Sequence, residues 1–165
     1  MKPPLKTNSA DDFQTPKEAL KPLFSYLRKG WRIWECAEGN GNLTKTLIEE
    51  GYDVVGTDTL TGQDFLTWQP DKFDCIVTNP PYSLKQQFLE RAYSLRKPFA
   101  FLLPLTTFET EKRQILFKRY GLEVIFLNKR INFETPSGHG SGAWFAVAWF
   151  TNWLHIDRAF TFSQL

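Results

Sequence analysis

The sequence predicts an α/β fold in which helices cover both faces of a doubly wound, mainly parallel sheet. Apolar strand-like runs alternate with amphipathic helical runs along most of the 165 residues, which is the pattern of a parallel sheet with helical crossovers. One run leads through a glycine loop, 38–42, into a helix, and another ends in the proline-rich loop 79–82. Open α/β sheets bind ligands beyond the carboxyl ends of their strands. We therefore expect one domain over residues 1–165, with its site formed by these two loops.

The composition is that of a globular protein, and it narrows the function classes. Hydrophobic residues make up 42% of the chain, which excludes wholesale disorder. No apolar run is long enough to span a membrane, and no apolar segment follows the first few residues, so we expect a soluble cytoplasmic protein. Cys36 and Cys75 each lie in an apolar run, which favours two core residues over a disulfide or a metal pair.

Charge is distributed unevenly along the chain, although the net charge is only +2. Residues 1–83 carry a charge of −3, whereas residues 84–165 carry a charge of +5. This asymmetry is compatible with a cationic cofactor bound beside an anionic polymer such as nucleic acid. A randomly charged, solvated surface would explain it equally well.

The first third of the chain predicts a helix, a strand and a second helix after a loose polar arm at 1–10. The first helix is expected to begin with a Thr15 cap and Pro16 and to extend to Arg28. Strand 31–37 then enters the glycine loop, and helix 43–50 leaves it. The loop has a G-x-G pattern without the third glycine of dinucleotide sites, which argues against a pyrophosphate and fits a cofactor without phosphates.

The second strand is predicted at 52–58 and ends in an acidic residue. Asp58 lies 17 residues after Gly41, close to the spacing of roughly 20 residues at which such folds place a carboxylate on ribose hydroxyls. A carboxylate can accept hydrogen bonds from both hydroxyls. An aspartate that only forms a turn is the structural alternative.

The third strand, 73–78, leads into the loop Asn79-Pro80-Pro81-Tyr82. Each proline holds the preceding residue extended, so the loop is stiff and presents an amide oxygen, a carbonyl oxygen and an aromatic ring. Two such acceptors can draw a planar, delocalised NH₂ group toward tetrahedral geometry and stabilise the positive charge that grows as it attacks a methyl group. The Tyr82 ring can stack on a flat target. A tight connection without chemistry is the structural alternative.

The second half continues the alternation of helices and strands. The predicted elements are helix 84–97, strand 99–103, a helix from Thr106 or Thr107 to Tyr120, and strands 122–127 and 143–150. The last two strands are expected to form an antiparallel hairpin at the sheet edge, followed by a short tail, 153–165. Segment 134–142 is rich in Gly, Ser, Thr and Pro, and we expect it to be mobile. Its His139 is not expected to bind a metal.

The loop Asn79-Pro80-Pro81-Tyr82 resembles the catalytic motif of S-adenosylmethionine-dependent amino-methyltransferases. Segments 13–16, 34–43 and 64–66 resemble cofactor motifs of small phage-type DNA N6-adenine methyltransferases. The resemblance covers residues 11–150 and implies a Rossmann-like class I methyltransferase fold with an antiparallel late strand and S-adenosyl-L-methionine as cofactor. Together with the residue-based argument for Asp58, it implies cofactor contacts by Phe13, Gln14, Thr15, Pro16, Glu35, Ala37, Gly39, Gly41, Asn42, Leu43, Asp58, Asp64, Phe65 and Asn79.

The resemblance also assigns roles to some of these side chains. Segment 13–16 would contact the methionine end of the cofactor, and Asp64 would accept from its exocyclic amine with Phe65 packed near the ring. Glu35 would either hold the methionine ammonium or cap the glycine loop, and both roles remain open. Glu38 departs from the family, which usually has a small or apolar residue there.

The implied reaction is methyl transfer to the N6 amine of an adenine that is flipped out of DNA. Asn79 and the Pro80 carbonyl would accept from the amine, and Tyr82 would stack on the base. Segment 130–133 resembles a late family motif, so Phe133 is expected to flank the base, with core packing as the structural alternative. Lys112 and Arg113 are expected to contact DNA.

The sequence has no dedicated region for target recognition. The loop 134–142 and the basic helix around Lys112 and Arg113 would then recognise the target, or a protein partner or homodimer would supply recognition, or selectivity would be low. An RNA base amino-methyltransferase and a catalytically weak cofactor-binding subunit are the alternative functions. No membrane or metal is expected to take part.

Overall fold

The computed structural model describes residues 14–133 and 145–165, and these residues form a single seven-stranded sheet with helices on both faces. The strands are β1 (Arg32–Glu35), β2 (Asp53–Gly56), β3 (Cys75–Thr78), β4 (Phe99–Pro104), β5 (Glu123–Leu127), β6 (Val147–Asn152) and β7 (Phe160–Ser163). The α-helices are α1 (Asn42–Glu49), α2 (Lys85–Leu95) and α3 (Glu111–Tyr120), and 3₁₀-helices lie at Lys17–Leu23, Thr59–Thr61, Tyr82–Leu84 and Leu105–Glu109.

The strand order is β2-β1-β3-β4-β6-β5-β7, and most of the pairings are parallel. Strand β1 pairs in parallel with β2 on one side and with β3 on the other. Strand β6 runs antiparallel between β4 and β5. The predicted doubly wound, mainly parallel sheet with an antiparallel late strand is therefore confirmed. Its order reverses between β1 and β3, and open α/β sheets bind ligands at such a switch point.

The core forms two layers because successive strand side chains point to opposite faces. Ile33 of β1 packs in the layer that includes α1, whereas the neighbouring Trp34 packs against α2 on the other face. The inward side of α2 buries Phe88 and Leu89, as its apolar spacing predicts. Cys36 and Cys75 are both buried and free, as expected of small core residues.

The helix predicted from Thr15 to Arg28 is wrong in both type and extent. A 3₁₀-helix spans Lys17–Leu23, Pro16 occupies its N-cap, and no side chain caps it. The reason is Pro22 inside the segment. Proline has no N–H to donate and its ring clashes with the preceding turn, so a regular α-helix cannot continue through it.

The edge position predicted for the late hairpin is also wrong, although its antiparallel pairing is confirmed. Strand β6 lies inside the sheet, and β7 forms from the expected tail and pairs in parallel with β5. Aromatic side chains alternate along β7, and the rings of Phe160 and Phe162 lie 5.9 Å and 5.3 Å from that of Phe126. Cross-strand aromatic contacts of this kind stabilise an added strand.

Several expectations concern parts of the chain outside the described residues. These are the arm at 1–10, Phe13, the segment 134–142 with His139, and residues 143–144 of the late strand. Within 14–133 and 145–165, no helix has the length and apolar character needed to cross a bilayer. The same residues contain no group of three or more side chains arranged to hold a metal ion.

Candidate active site

A cavity of about 320 Å³ lies beyond the carboxyl ends of β1, β2 and β3, at the switch point of the sheet. Six predicted residues that precede or form the glycine loop region line it: Gln14, Thr15, Glu35, Ala37, Gly39 and Asn42. Six more come from α1, the segment between β2 and β3, and the loop 79–82, here called the amide loop: Leu43, Asp58, Asp64, Phe65, Asn79 and Pro81. The two loops that the sequence singles out therefore meet at one cavity.

The glycine loop takes its shape from two residues with positive φ. Gly39 has a φ of +55° and Gly41 a φ of +83°, a region in which a side chain is strained. The Gly39 N–H donates to Asp58 Oδ2 at 3.0 Å. A Cβ at Gly39 would lie 3.0 Å from the Gln14 side-chain nitrogen. Gly41 is the N-cap of α1 and does not itself line the cavity.

Glu35 is a buried carboxyl group in the cavity wall, with 1% of its surface exposed. Its Oε1 accepts the Ala37 N–H at 3.0 Å and the Thr78 hydroxyl. Burial raises the pKa of Glu35 to about 8, against the effect of these two hydrogen bonds and reinforced by the carboxylates of Glu38 and Asp58. By accepting the Ala37 N–H, Glu35 caps the glycine loop, which is one of the two roles considered for it. Its contact with the methionine ammonium stays a prediction.

Asp58 anchors the end of β2 to the glycine loop. Besides the Gly39 N–H, its carboxylate accepts the Leu60 N–H at 2.9 Å and the Thr59 hydroxyl at 3.3 Å. The Asp58 N–H in turn donates to the Thr61 hydroxyl at 3.2 Å, which completes a capping box at the 3₁₀-helix Thr59–Thr61. The turn-forming role considered for this aspartate is thus observed, and the carboxylate also faces the cavity.

Asp64 and Phe65 form another wall. Asp64 Oδ1 accepts the Leu66 N–H at 3.0 Å, and no described residue donates to its Oδ2. The Phe65 ring is buried, with its centroid 5.2 Å from that of Trp34 and 4.7 Å from that of Phe88. The wall therefore combines a carboxylate oxygen with a fixed apolar surface, a pairing suited to a flat ring that carries an amine.

The amide loop begins where β3 ends. Asn79 and Pro81 line the cavity and Pro80 is buried beside it. Thr78, the last residue of β3, is fully buried and bonded to Glu35 at the end of β1. Pro16, in contrast, is half-buried and does not line the cavity.

The predicted base-contacting rings lie away from this cavity. The Tyr82 ring packs edge-to-face on Phe145, with centroids 5.8 Å apart. Phe133 is 4% exposed and belongs to the core cluster against which Tyr82 and Phe145 pack. Phe133 therefore packs in the core, which is the alternative considered for it. Its contact with the base stays a prediction.

The two predicted DNA contacts on α3 differ sharply. Arg113 is 8% exposed, its Nε donates to the Thr107 carbonyl at 2.6 Å, and burial lowers its pKa. This placement argues against a contact with DNA. Lys112 is exposed and pairs with Glu90 across 3.5 Å, so its contact with DNA remains a prediction. Helical position alone does not tell which of two adjacent basic residues faces inward.

Seven further lining residues were not among the predicted cofactor contacts. The cavity also contacts Cys36, Glu38, Thr59, Leu60, Leu66, Leu84 and Phe88. Leu60 is 89% exposed, so its side chain adds exposed apolar surface to the cavity lining. Its position two residues after Asp58 is the one pattern that could have identified it.

The charge of the cavity lining is negative. Glu38, Asp58 and Asp64 contribute carboxylates, whereas burial favours the protonated form of Glu35 near neutral pH, and among the described lining residues none is Lys, Arg or His. A phosphate would be repelled here, whereas a ligand with ammonium and sulfonium groups is attracted. The acidic lining fits the cofactor that the sequence motifs imply.

The fold is that of class I methyltransferases. A Listeria monocytogenes protein assigned to the class I S-adenosylmethionine-dependent methyltransferases superposes with a TM-score of 0.62 at 15% identity, over 95% of this chain and 67% of its own. A methyltransferase subunit of a type I restriction-modification system from Streptococcus thermophilus gives 0.55 at 16% identity, over 93% and 47%.

A dimethyladenosine transferase from Plasmodium falciparum gives a TM-score of 0.52 at 15% identity, over 84% of this chain and 62% of its own. This chain therefore spans less than two thirds of the Plasmodium and Streptococcus proteins. No protein-family model matches the sequence, and no curated protein does. At these identities the comparisons establish the shared fold.

Proposed function

We propose that this protein is an S-adenosylmethionine-dependent methyltransferase that methylates the exocyclic N6 amine of adenine in DNA. The observation that carries the proposal is the single cavity lined by both the glycine loop and the amide loop. A methyl donor and an amine must come within reacting distance, and one shared cavity meets that requirement.

The acidic wall would hold the cofactor. Asp58 would accept from the ribose and Asp64 Oδ2 from the adenine amine, with Phe65 and Leu60 providing apolar contacts. Glu35 lies beside the glycine loop, and its buried carboxyl group, whose pKa burial raises to about 8, would give up its proton to pair with the methionine ammonium. When bound, S-adenosyl-L-methionine supplies an electrophilic methyl group on a sulfonium.

The amide loop would hold the acceptor. The side-chain oxygen of Asn79 and the Pro80 carbonyl accept hydrogen bonds from the target NH₂, localise its lone pair and stabilise its growing positive charge. Tyr82 stacks on the flipped base once its ring is released from part of its contact with Phe145. No general base is needed in the substitution, because the proton can leave the ammonium product afterwards.

DNA is favoured over RNA by the order of the motifs and by their resemblance to the adenine-methylating branch. The +5 charge of residues 84–165 suits a polyanion of either kind. A partner or a second copy would supply sequence recognition, and the description of the Streptococcus protein as a subunit agrees with that.

The test is to offer labelled S-adenosyl-L-methionine with duplex DNA, RNA and protein in separate reactions. The methylated polymer is digested and its nucleosides are separated by chromatography. We expect label in DNA, as N6-methyladenine. Label in RNA would instead establish the RNA branch, and label in N4-methylcytosine would overturn the choice of base. Cofactor binding without transfer to any polymer would identify a catalytically weak subunit.

A further inference from the structure

The Asp58 carboxylate is largely occupied by the protein itself. It accepts the Gly39 N–H, the Leu60 N–H and the Thr59 hydroxyl. A carboxylate offers about four acceptor positions, so about one is left. A ribose has two hydroxyl groups, and one remaining position cannot accept from both. A ribose in this cavity therefore needs a second acceptor.

Glu38 supplies a carboxylate at the right place. It lines the cavity and is half-buried, and no described residue donates a hydrogen bond to its side chain. Its backbone is fixed beside the end of β2, because its N–H donates to the Thr57 carbonyl at 3.0 Å and its carbonyl accepts the Gly41 N–H at 2.9 Å. Glu38 and Asp58 both act electrostatically on Glu35, so all three lie near one another.

Gly56, the last residue of β2, makes room for this carboxylate. A Cβ at position 56 would lie 2.7 Å from Glu38 Oε2 and closer still to Oε1. Gly56 is not among the glycines with positive φ, so its backbone does not require glycine. Glycine within a strand is destabilising and often marks a close approach. The close approach here is that of the Glu38 side chain.

We propose that Glu38 and Asp58 divide the ribose hydroxyls of the cofactor between them, with Gly56 as the gap that lets Glu38 reach. This inference rests on the proposed cofactor. It assigns a specificity role to the residue at which the sequence departs from the family that it resembles. Glu38 is a binding residue here. Because both molecules carry the ribose, Glu38 should strengthen the binding of S-adenosylhomocysteine, the product, as much as that of S-adenosyl-L-methionine, the methyl donor.

The test uses calorimetry on the whole chain with S-adenosylhomocysteine and its 2′-deoxy and 3′-deoxy forms. For Glu38→Ala we expect about a tenfold weaker affinity for S-adenosylhomocysteine, because a hydrogen bond to a charged group is lost. The loss should disappear for one deoxy form, which lacks the hydroxyl that Glu38 accepts. Glu38→Gln keeps an acceptor oxygen and should lose less. Glu111→Ala, an exposed glutamate on α3, is the matched control.

Gly56→Ala is the second variant, because its methyl group displaces the Glu38 carboxylate without removing it. We expect the same selective loss, and no further loss in the double variant Glu38→Ala/Gly56→Ala. Thermal melting checks the fold of each variant. This second route keeps the test decisive if one variant does not fold.

Four results would overturn the proposal. A loss for S-adenosyl-L-methionine that is absent for S-adenosylhomocysteine would make Glu38 a counter-ion of the sulfonium. A loss that persists in both deoxy forms, or unchanged affinity in both single variants, would remove the ribose role while leaving the proposed function intact. Failure of the unmodified protein to bind S-adenosylhomocysteine would overturn both the ribose role and the proposed function. This measurement therefore comes before any variant is made.

Discussion

The predicted site residues at the carboxyl ends of β1–β3 line the cavity, whereas two of those in the second half of the chain are buried in the protein interior. At the strand ends, Glu35, Asp58 and Asn79 all reach one cavity. In the second half, Phe133 and Arg113 are buried inside the protein. Parallel topology forces strand ends to converge, so a polar residue at such an end is placed by the fold. An aromatic or basic residue elsewhere has no such constraint.

Asn79→Ala tests whether the strand-end site is chemical, and it should have the largest effect. Loss of one acceptor for the reacting amine should lower the rate of methyl transfer by about 10²–10³-fold. Affinity for S-adenosylhomocysteine should change much less, as measured by calorimetry beside the transfer assay. An unchanged rate would mean that the loop is only a tight connection between β3 and α2.

Glu35→Gln tests the electrostatic character of the same site. Burial raises the Glu35 pKa from 4.5 to about 8, so the native protein keeps a proton that the unfolded chain loses between these values. The stability from this group is therefore present below pH 4.5 and lost as the pH rises through 8, with a slope of up to about 1.4 kcal/mol per pH unit.

Glutamine mimics the protonated form, so the variant should lack this slope. Urea unfolding of both proteins between pH 5.5 and 8 measures it. Parallel stability curves would show that the Glu35 carboxyl titrates normally and would contradict the expectation.

Arg113→Ala tests whether Arg113 stabilises the fold instead of contacting DNA. Its guanidinium donates to the carbonyls of Thr107 and Thr106, and losing such bonds should lower the free energy of unfolding by about 2 kcal/mol. Lys112→Ala removes a neighbouring charge in an exposed pair and should cost under about 1 kcal/mol. A stable Arg113→Ala protein with weakened DNA binding would reverse this assignment.

Asp64→Asn should have the smallest effect. Asparagine keeps an oxygen for the Leu66 N–H but removes the charge that faces the cavity. We expect affinity for S-adenosylhomocysteine to fall by about fivefold, since a charge-assisted bond becomes a neutral one. Asp71→Asn, at an exposed aspartate outside this cavity, serves as the control. Equal affinities in the two variants would remove Asp64 from the cofactor wall.

Local patterns made much of the strand-end site predictable. The G-x-G pattern marks Gly39 and Gly41, whose positive φ values shape the loop. The two prolines after Asn79 likewise reveal in the sequence where β3 ends and the amide loop begins. What the sequence did not reveal depends on contacts between distant segments, such as the Thr78 bond to Glu35 and the position of Glu38 over Gly56.

The errors in the fold have two different physical sources. Pro22 is visible in the sequence, but the apolar spacing of residues 20–27 favoured a helix, which a proline interrupts. Strand β7 has only four residues, and its pairing partner β5 lies far away in sequence. A short strand of this kind is defined by its neighbour more than by its own residues.

The hydrogen bond between Thr78 and Glu35 has a further consequence. It joins the last residues of β1 and β3 across the reversal in strand order, so the two loops that follow are held at a fixed separation. Because the two loops would not move toward each other, the target amine itself would have to move to the methyl group under the proposed function. Under the proposed function, bases that unstack easily would react fastest, so mismatched or single-stranded sites would be methylated in preference to paired ones.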